Sequence, residues 1–191
     1  MIIRYLRPGL MLTVCMTLLT GVVYPIIVTA MSTLLFHSQA HGSLVFNGDK
    51  LIGSRWIGQN FSAPRYFWGR PSATSPQPYN AASSGGSNLG PLNPALIDKV
   101  KASAKVLRDA DPGNTARIPV ELVTGSASGL DPDISPAAAE YQAARVARAR
   151  NLPVAQVRSL LAQHRQEPSL GVIGEARINV LEVNLALDRL H

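Results

Sequence analysis

The segment Gly125-Ser126-Ala127-Ser128-Gly129 comes close to the glycine-flanked serine turn of hydrolases. In that turn a central serine stands above a strand-to-helix corner, with His and Asp partners brought within reach by the fold. Here the central residue is Ala127, so the pattern misses by one position. Ser128, Asp131 and His164 still provide the residue types of a triad, although a tight turn feeding a helix accounts for the same residues. Metal chemistry has little to build on: the histidines are His37, His41, His164 and His191, and Cys15 has no second thiol. His37 and His41 are spaced to share one helical face, but two ligands do not make a site. Asp131-Pro132-Asp133 lacks the further oxygens a calcium loop places at fixed offsets.

Gly85-Gly86-Ser87-Asn88-Leu89-Gly90 has glycines five apart, as a phosphate-cradling loop does, yet Pro91-Leu92 follow where Lys and Ser or Thr are required. The Asp-Lys-Thr-Gly signature of an aspartyl-phosphate ATPase is absent as well. Arg145, Arg148 and Arg150 form a basic cluster whose first two members share a helical face, which reads as a solvated surface with salt bridges to a partner as the second option.

The elements that must position these residues start with an anchor. The chain has 191 residues, a formal net charge of +6 and only 16% charged residues, against roughly a quarter in soluble domains. The deficit lies at the front, where Pro8 to Phe36 form 29 consecutive residues without a charged group or histidine. A bilayer core needs about 20 helical residues, so this run spans it with length to spare. A secretory signal peptide is the competing reading, since Ser38-Gln39-Ala40 resembles a cleavage site, but its apolar core would be roughly 7 to 15 residues. Arg4 and Arg7 precede the run and no Lys or Arg follows until Lys50, which places the N-terminus in the cytoplasm and the remainder outside. The expected organisation is therefore a cytoplasmic N-terminus at 1–7, a transmembrane helix at 8–36 and an extracytoplasmic, periplasmic domain at 37–191. Pro25 should bend the span, and Gly21 four residues earlier leaves a thin side on which a neighbouring helix can pack.

The exported 155 residues carry 16 basic against 12 acidic groups. Without a dense basic stripe and interleaved aromatics, this balance argues against nucleic acid. Asn47-Gly48 between short apolar runs predicts a hairpin over 44–54. Residues 69–93, crowded with Ser, Asn, Gly and Pro, predict a long loop that is functional or disordered, with Tyr79 favouring an ordered contact surface. Asn93-Pro94 opens a helix that stops before Asp111, with Leu96, Ile97, Val100, Ala104 and Leu107 as its buried face. Ile118–Val123 reads as a strand and 124–133 as a second small-residue loop. Ser135-Pro136 opens a helix through Arg150, Pro153 starts another carrying Val154, Val157, Leu160 and Leu161, and the ambiguous last stretch is taken as helix from Asn179. The fold class is α+β: one N-terminal transmembrane helix, then one mixed α+β extracytoplasmic domain.

Taken together, Gly58-Gln59, Tyr66-Phe67-x-Gly69-Arg70-Pro71-Ser72, Tyr79-Asn80, Ser84-Gly85-Gly86-Ser87-Asn88-Leu89-Gly90-Pro91, Asn93-Pro94, Ser126-Ala127-Ser128-Gly129-Leu130-Asp131-Pro132, Ile134-Ser135-Pro136, Arg145-Val146-Ala147 and Arg177-Ile178-Asn179-Val180-Leu181 resemble the C subunit of the Kdp-type potassium-transporting ATPase. The resemblance covers the whole chain; Leu92 stands where that family more often has Ser or Thr, and Ile178 where it more often has Val. It implies a non-catalytic accessory subunit of the inner membrane, needed for assembly beside a channel-like K⁺-binding subunit and a P-type ATPase subunit. It also implies a catalytic chaperone that raises the ATP affinity of the ATPase subunit, with K⁺ as the transported ion and ATP held by, or jointly with, that subunit. Membrane lipid is the other expected neighbour. Gly21, Arg70, Ser84, Gly85, Gly86, Ser87, Asn88, Ser128, Gly129, Asp131 and Arg145 are the candidate partner-contact residues. A membrane-anchored periplasmic serine hydrolase using Ser128 is the alternative.

Overall fold

The computed structural model describes residues 2–190, with side chains from residue 5; Met1, His191 and the Arg4 side chain invoked for the expected orientation lie outside them. The described chain divides into two units at Leu44.

The first unit is helical: α1 (Ile2–Leu18), a π-helical turn (Leu19–Val23), α2 (Tyr24–Leu35) and a single turn α3 (His37–Ala40). Tyr5–Leu35 is one helix of 31 residues, long and apolar enough to cross a membrane. Just before Pro25, where a bend is expected, the helix has that π turn. Pro25 has no N–H and its ring crowds the carbonyl four residues back, which belongs to Gly21; the wider turn relieves the clash, and the Tyr24 N–H bonds to the Leu19 carbonyl instead. Thr13 and Thr20 return their hydroxyls to the Gly9 and Met16 carbonyls at 2.9 and 2.7 Å, as a polar side chain in hydrocarbon must. The helix breaks at Phe36 (φ −133°, ψ 49°), so His37 and His41 share a separate turn, with rings 4.3 Å apart.

The second unit begins with the hairpin β1 (Leu44–Asn47) and β2 (Lys50–Ser54), turning through Gly48 at φ +59°. After the long irregular segment comes α4 (Pro94–Ala110), capped by Asn93 Oδ1 on the Ala95 N–H at 3.0 Å. Its expected apolar face is only partly covered: Leu107 is buried, Leu96, Val100 and Ala104 are half-buried, and Ile97 is 48% exposed. Of that face only Leu107 borders a cleft of about 400 Å³, which Ala102, Ser103 and Val106 line from the same helix together with Phe61, Trp68, Tyr79 and Leu122. The strand expected at Ile118–Val123 is a 3-10 turn, Val120–Leu122. Pro119 lends no N–H to a ladder, and its carbonyl accepts from Leu122 at 3.0 Å.

The core is formed by α5 (Pro136–Arg150), α6 (Val154–His164) and α7 (Val180–Asp188) against a three-stranded antiparallel sheet. Its strands are β3 (Asp133–Ile134), β4 (Arg165–Gln166) and β5 (Arg177–Asn179), with β5 central; Ile134 and Arg165 both lie opposite Ile178. Ser135 Oγ caps α5 through the Ala138 N–H, and Asn151 ends it in the left-handed region at φ 55°. Ala138, Ala139, Ala143 and Ala147 bury a face of small residues that admits close neighbours; α6 contributes Val157, Leu160 and Leu161. Asn179 takes the Glu182 N–H with its side chain at 3.1 Å, so it caps α7, which starts at Val180, one residue after the expected start at Asn179. The strand immediately before it is one the sequence reading missed.

The solvated-face reading of the α5 arginines is corrected. Arg145 and Arg150 are each 4% exposed. Arg150 reaches the Arg65 and Leu187 carbonyls and Asp188, while only Arg148 lies outside, paired with Asp111. Positions 145 and 150 face the core because their forks satisfy carbonyls that the neighbouring irregular chain leaves without ladder partners.

Candidate functional site

The two small-residue loops meet. The Gly85 N–H donates to the Ser128 carbonyl at 2.8 Å, and Ser84 Oγ donates to the same oxygen at 3.0 Å. Two glycines make this approach possible. A Cβ on Gly86 would stand 3.0 Å from the Ala127 carbonyl oxygen; one on Gly129, at φ +67°, would stand 2.7 Å from the Gly85 oxygen. Any side chain at 129 therefore meets both steric resistance and an unfavourable backbone region.

Ser72 ties the same loops from within. Its hydroxyl donates to the Gly129 carbonyl at 2.7 Å and accepts the Tyr79 N–H at 2.9 Å. The Tyr79 ring lies where Cβ atoms on Gly58 or Gly69 would be, and its hydroxyl donates to the Arg70 carbonyl at 2.6 Å. Burial, reinforced by the Asp131 charge and opposed by Arg70, pushes the Tyr79 phenol up to about 12. Arg70 closes the arrangement: its guanidinium pairs with Asp131 Oδ2 at 3.0 Å and donates to the Gly125 carbonyl at 3.1 Å. Asp131 Oδ1 also accepts the Asp133 N–H at 3.1 Å. Burial raises the Asp133 carboxyl above its ordinary value, against the lowering effects of Arg177 and of the Asn179 amide.

Most predicted contact residues are thus in one place. Ser84, Ser87, Asn88 and Ser128 are exposed, Gly85, Gly86, Arg70 and Asp131 half-buried, and Gly129 is buried beneath them. Arg145 is not among them. Its guanidinium lies 4.1 Å from the Trp68 ring centre and donates to the Pro64 carbonyl and to Gln142 Oε1, each at 2.6 Å, so it acts as an internal strut for the segment leading into the loop. Gly21 belongs to the helical unit, where a Cβ would meet nothing within 4 Å. Ser72 and Gly58 do as much to lock the loops as any predicted residue. Only their place in motif-bearing stretches marked them, because a serine or glycine in a turn-rich segment gives no sign of its long-range partner.

The arrangement supplies little for chemistry. Ser128 Oγ accepts the Leu130 N–H at 3.1 Å and lies 3.4 Å from Ser126 Oγ; Asp131 is occupied by Arg70 and the Asp133 N–H, and neither is hydrogen-bonded to His164. Among the described residues no three His, Cys, Asp or Glu side chains come together as a metal ion needs. The Gly85 N–H, which a phosphate-cradling loop would aim at a ligand, is taken by Ser128.

The family described as K⁺-transporting ATPase, c chain, matches residues 6–189. A potassium-transporting ATPase KdpC subunit of Polaromonas naphthalenivorans (strain CJ2) is 64% identical over 185 residues, covering 97% of this chain and 94% of its own length. One from Variovorax paradoxus (strain S110) is 63% identical over 183 residues, with 96% and 95% covered. One from Methylococcus capsulatus (strain ATCC 33009 / NCIMB 11132 / Bath) is 56% identical over 188 residues, with 98% and 99% covered. With the match extending from the apolar helix through both interlocked loops to α7, the chain belongs to the KdpC family, the c chain of K⁺-transporting ATPases.

Proposed function

We propose that this chain is a non-catalytic accessory subunit of an ATP-driven potassium-uptake complex, that it is needed for assembly, and that it raises the ATP affinity of the complex's P-type ATPase subunit. K⁺ is then the transported ion, and nucleotide is bound in that partner. The observation carrying this reading is the interlocked loop pair: a hydrogen-bonded frame whose outward side chains, Ser84, Ser87, Asn88 and Ser128, are small, and in which the Ser84 and Ser128 hydroxyls are engaged by backbone instead of a nucleophile's base. Small residues on such a frame suit close backbone docking at low ordering cost. The channel-like subunit and the ATPase subunit are the partners this surface would meet.

The charge asymmetry around the span, Arg4 and Arg7 before it and no Lys or Arg until Lys50, orients the N-terminus to the cytoplasm and residues 37–191 to the periplasm. ATP is absent there, so the effect on nucleotide affinity works by coupling: the subunit favours one conformation of the complex and thereby changes affinity at a site it does not touch. Photoreactive ATP applied to sealed, right-side-out vesicles bearing the complete complex tests this. The chain stays unlabelled from outside, while its removal raises the KM for ATP. Labelling of this chain from the outside only overturns the coupling account.

Gly21 is the proposed contact in the bilayer. Because a side chain there fits its own helix freely, Gly21→Leu leaves the chain intact and weakens its recovery with the channel-like subunit. Unchanged recovery in detergent would mean that this face is unused.

A further inference from the structure

Between Pro168 and Gly174 the chain forms a tight excursion after β4. Ser169 and Ile173 exchange both backbone hydrogen bonds at 2.9 Å, and the Gly171 and Val172 N–H groups close on the Pro168 and Ser169 carbonyls at 3.0 and 3.3 Å. Leu170 is held at φ 55°, a region that a side chain of its size enters only against steric resistance. The loop nevertheless holds its large side chains outward: Leu170 is 90% exposed, Val172 83% and Ile173 62%. Three adjacent aliphatics on a backbone tied by four hydrogen bonds form a preorganised apolar knob, which loses little conformational freedom on docking.

We propose that this knob seats in an apolar socket, rimmed by Lys or Arg, on another polypeptide of the complex. The inference rests on the accessory-subunit reading and extends it to residues outside the two interlocked loops. Charge decides between a protein and a lipid occupant. A loop that inserts into a bilayer carries Trp, Tyr, Lys or Arg free at its shoulders to meet the headgroups; residues 166–176 contain none of these, and the flanking Arg165 and Arg177 are each paired with a carboxylate, Glu167 at 2.7 Å and Asp133 at 3.2 Å. The unpaired charge at the shoulders is a carboxylate. Glu167 is paired with Arg165 at 2.7 Å, whereas Glu175 is exposed and has no ion pair among the described residues. An anionic membrane surface repels Glu175, and a basic rim pairs it. The aliphatic tip supplies affinity and the carboxylate supplies orientation.

The test uses the purified complete complex with a benzophenone amino acid at Val172 and, separately, at Ser87. Irradiation at 172 yields an adduct with another subunit, mapping to a peptide of aliphatic residues with Lys or Arg beside them. Leu170→Asp lowers recovery of the complex about tenfold, Glu175→Lys several-fold and Glu175→Gln less, with the melting temperature of the purified chain unchanged because all these side chains are exposed. An adduct with lipid or with a second copy of this chain overturns the proposal. So does silence at 172 when Ser87 captures a subunit, a result that leaves the accessory-subunit reading standing. Silence at both positions counts against both, and if Leu170→Asp fails to fold, the adduct at 172 decides alone.

Discussion

The α5–α7 layer and the interlocked loops sit in one domain and are held by opposite means. The helical layer excludes water with side chains: Val146, Val157, Val183 and Leu187 are fully buried. Its polar members act as substitutes for missing strands. Gln142 accepts the Trp68 N–H and donates to the Trp68 carbonyl, and Asn184 does the same for Phe67 at 2.8 and 2.9 Å, so two side-chain amides pair the backbone of an irregular segment as a neighbouring strand would. The loop layer has almost no apolar side chain to bury and is held by close backbone approach across Gly86 and Gly129, with hydroxyls from Ser72 and Ser84. One region is held by buried apolar side chains, the other by backbone that comes close enough to bond directly.

That contrast sets the size of the expected effects. The largest belongs to Asn184, which is 1% exposed. In Asn184→Ala the Phe67 N–H and carbonyl both lose their partners while buried, and a small void opens. The expected loss is about 3–4 kcal/mol, read as a fall in melting temperature of roughly 6–16 °C for a chain of this size. A fall below about 2 °C would show that the segment is held by something other than α7.

In the loop layer, Gly129→Ala must pay for a left-handed alanine and for a Cβ 2.7 Å from the Gly85 oxygen. About 2–3 kcal/mol is expected, with a second signature that a general loss of stability would not give: faster amide exchange at Gly85, whose N–H bonds to Ser128 across the joint. Slow exchange at Gly85 in this variant would mean the loops stay together without the glycine.

The same contrast explains what could be read from the sequence. Helix starts were legible because Asn93-Pro94 and Ser135-Pro136 put a capping side chain beside a residue that fits the first turn, which is local chemistry. The 44–54 hairpin was legible for the same reason, through Asn47-Gly48. What failed depended on distant partners. Ile118–Val123 has strand composition but no strand to pair with; the apolar stripe of α4 predicts burial, yet only Leu107 of it is buried. The arginines of α5 carry charges that suggest solvent, but Arg145 and Arg150 are buried against the carbonyls of Pro64, Arg65 and Leu187, the Gln142 amide oxygen and the Asp188 carboxylate, all distant in sequence or invisible to it. For the site, the two loops could be singled out by composition and resemblance. That they bind one another through Ser72 and Tyr79 could not, since a hydroxyl's partner 57 residues away leaves no periodic trace.

Tyr79 sharpens the comparison without disturbing the helical layer. Its phenol is raised to about 12, first by burial and then by Asp131, while an unfolded tyrosine titrates near 10. Since the folded value lies above the unfolded one, the contribution is complete below pH 10 and is lost as pH rises through 12: the unfolded chain sheds its proton first and is favoured by the rise. A two-unit gap corresponds to about 2–3 kcal/mol, reduced by the part of the ring that solvent reaches. Tyr79→Phe removes this dependence along with the hydrogen bond to the Arg70 carbonyl. Tyr141, also raised by burial, titrates in both proteins and cancels in the comparison. Denaturant unfolding at pH 9 and at pH 11.5 should therefore show the native chain ahead of Tyr79→Phe at the lower pH by about 1 kcal/mol, with the lead gone or reversed at the higher one. A lead that stays constant would mean the phenol is solvated, and the loop joint looser than its hydrogen bonds imply.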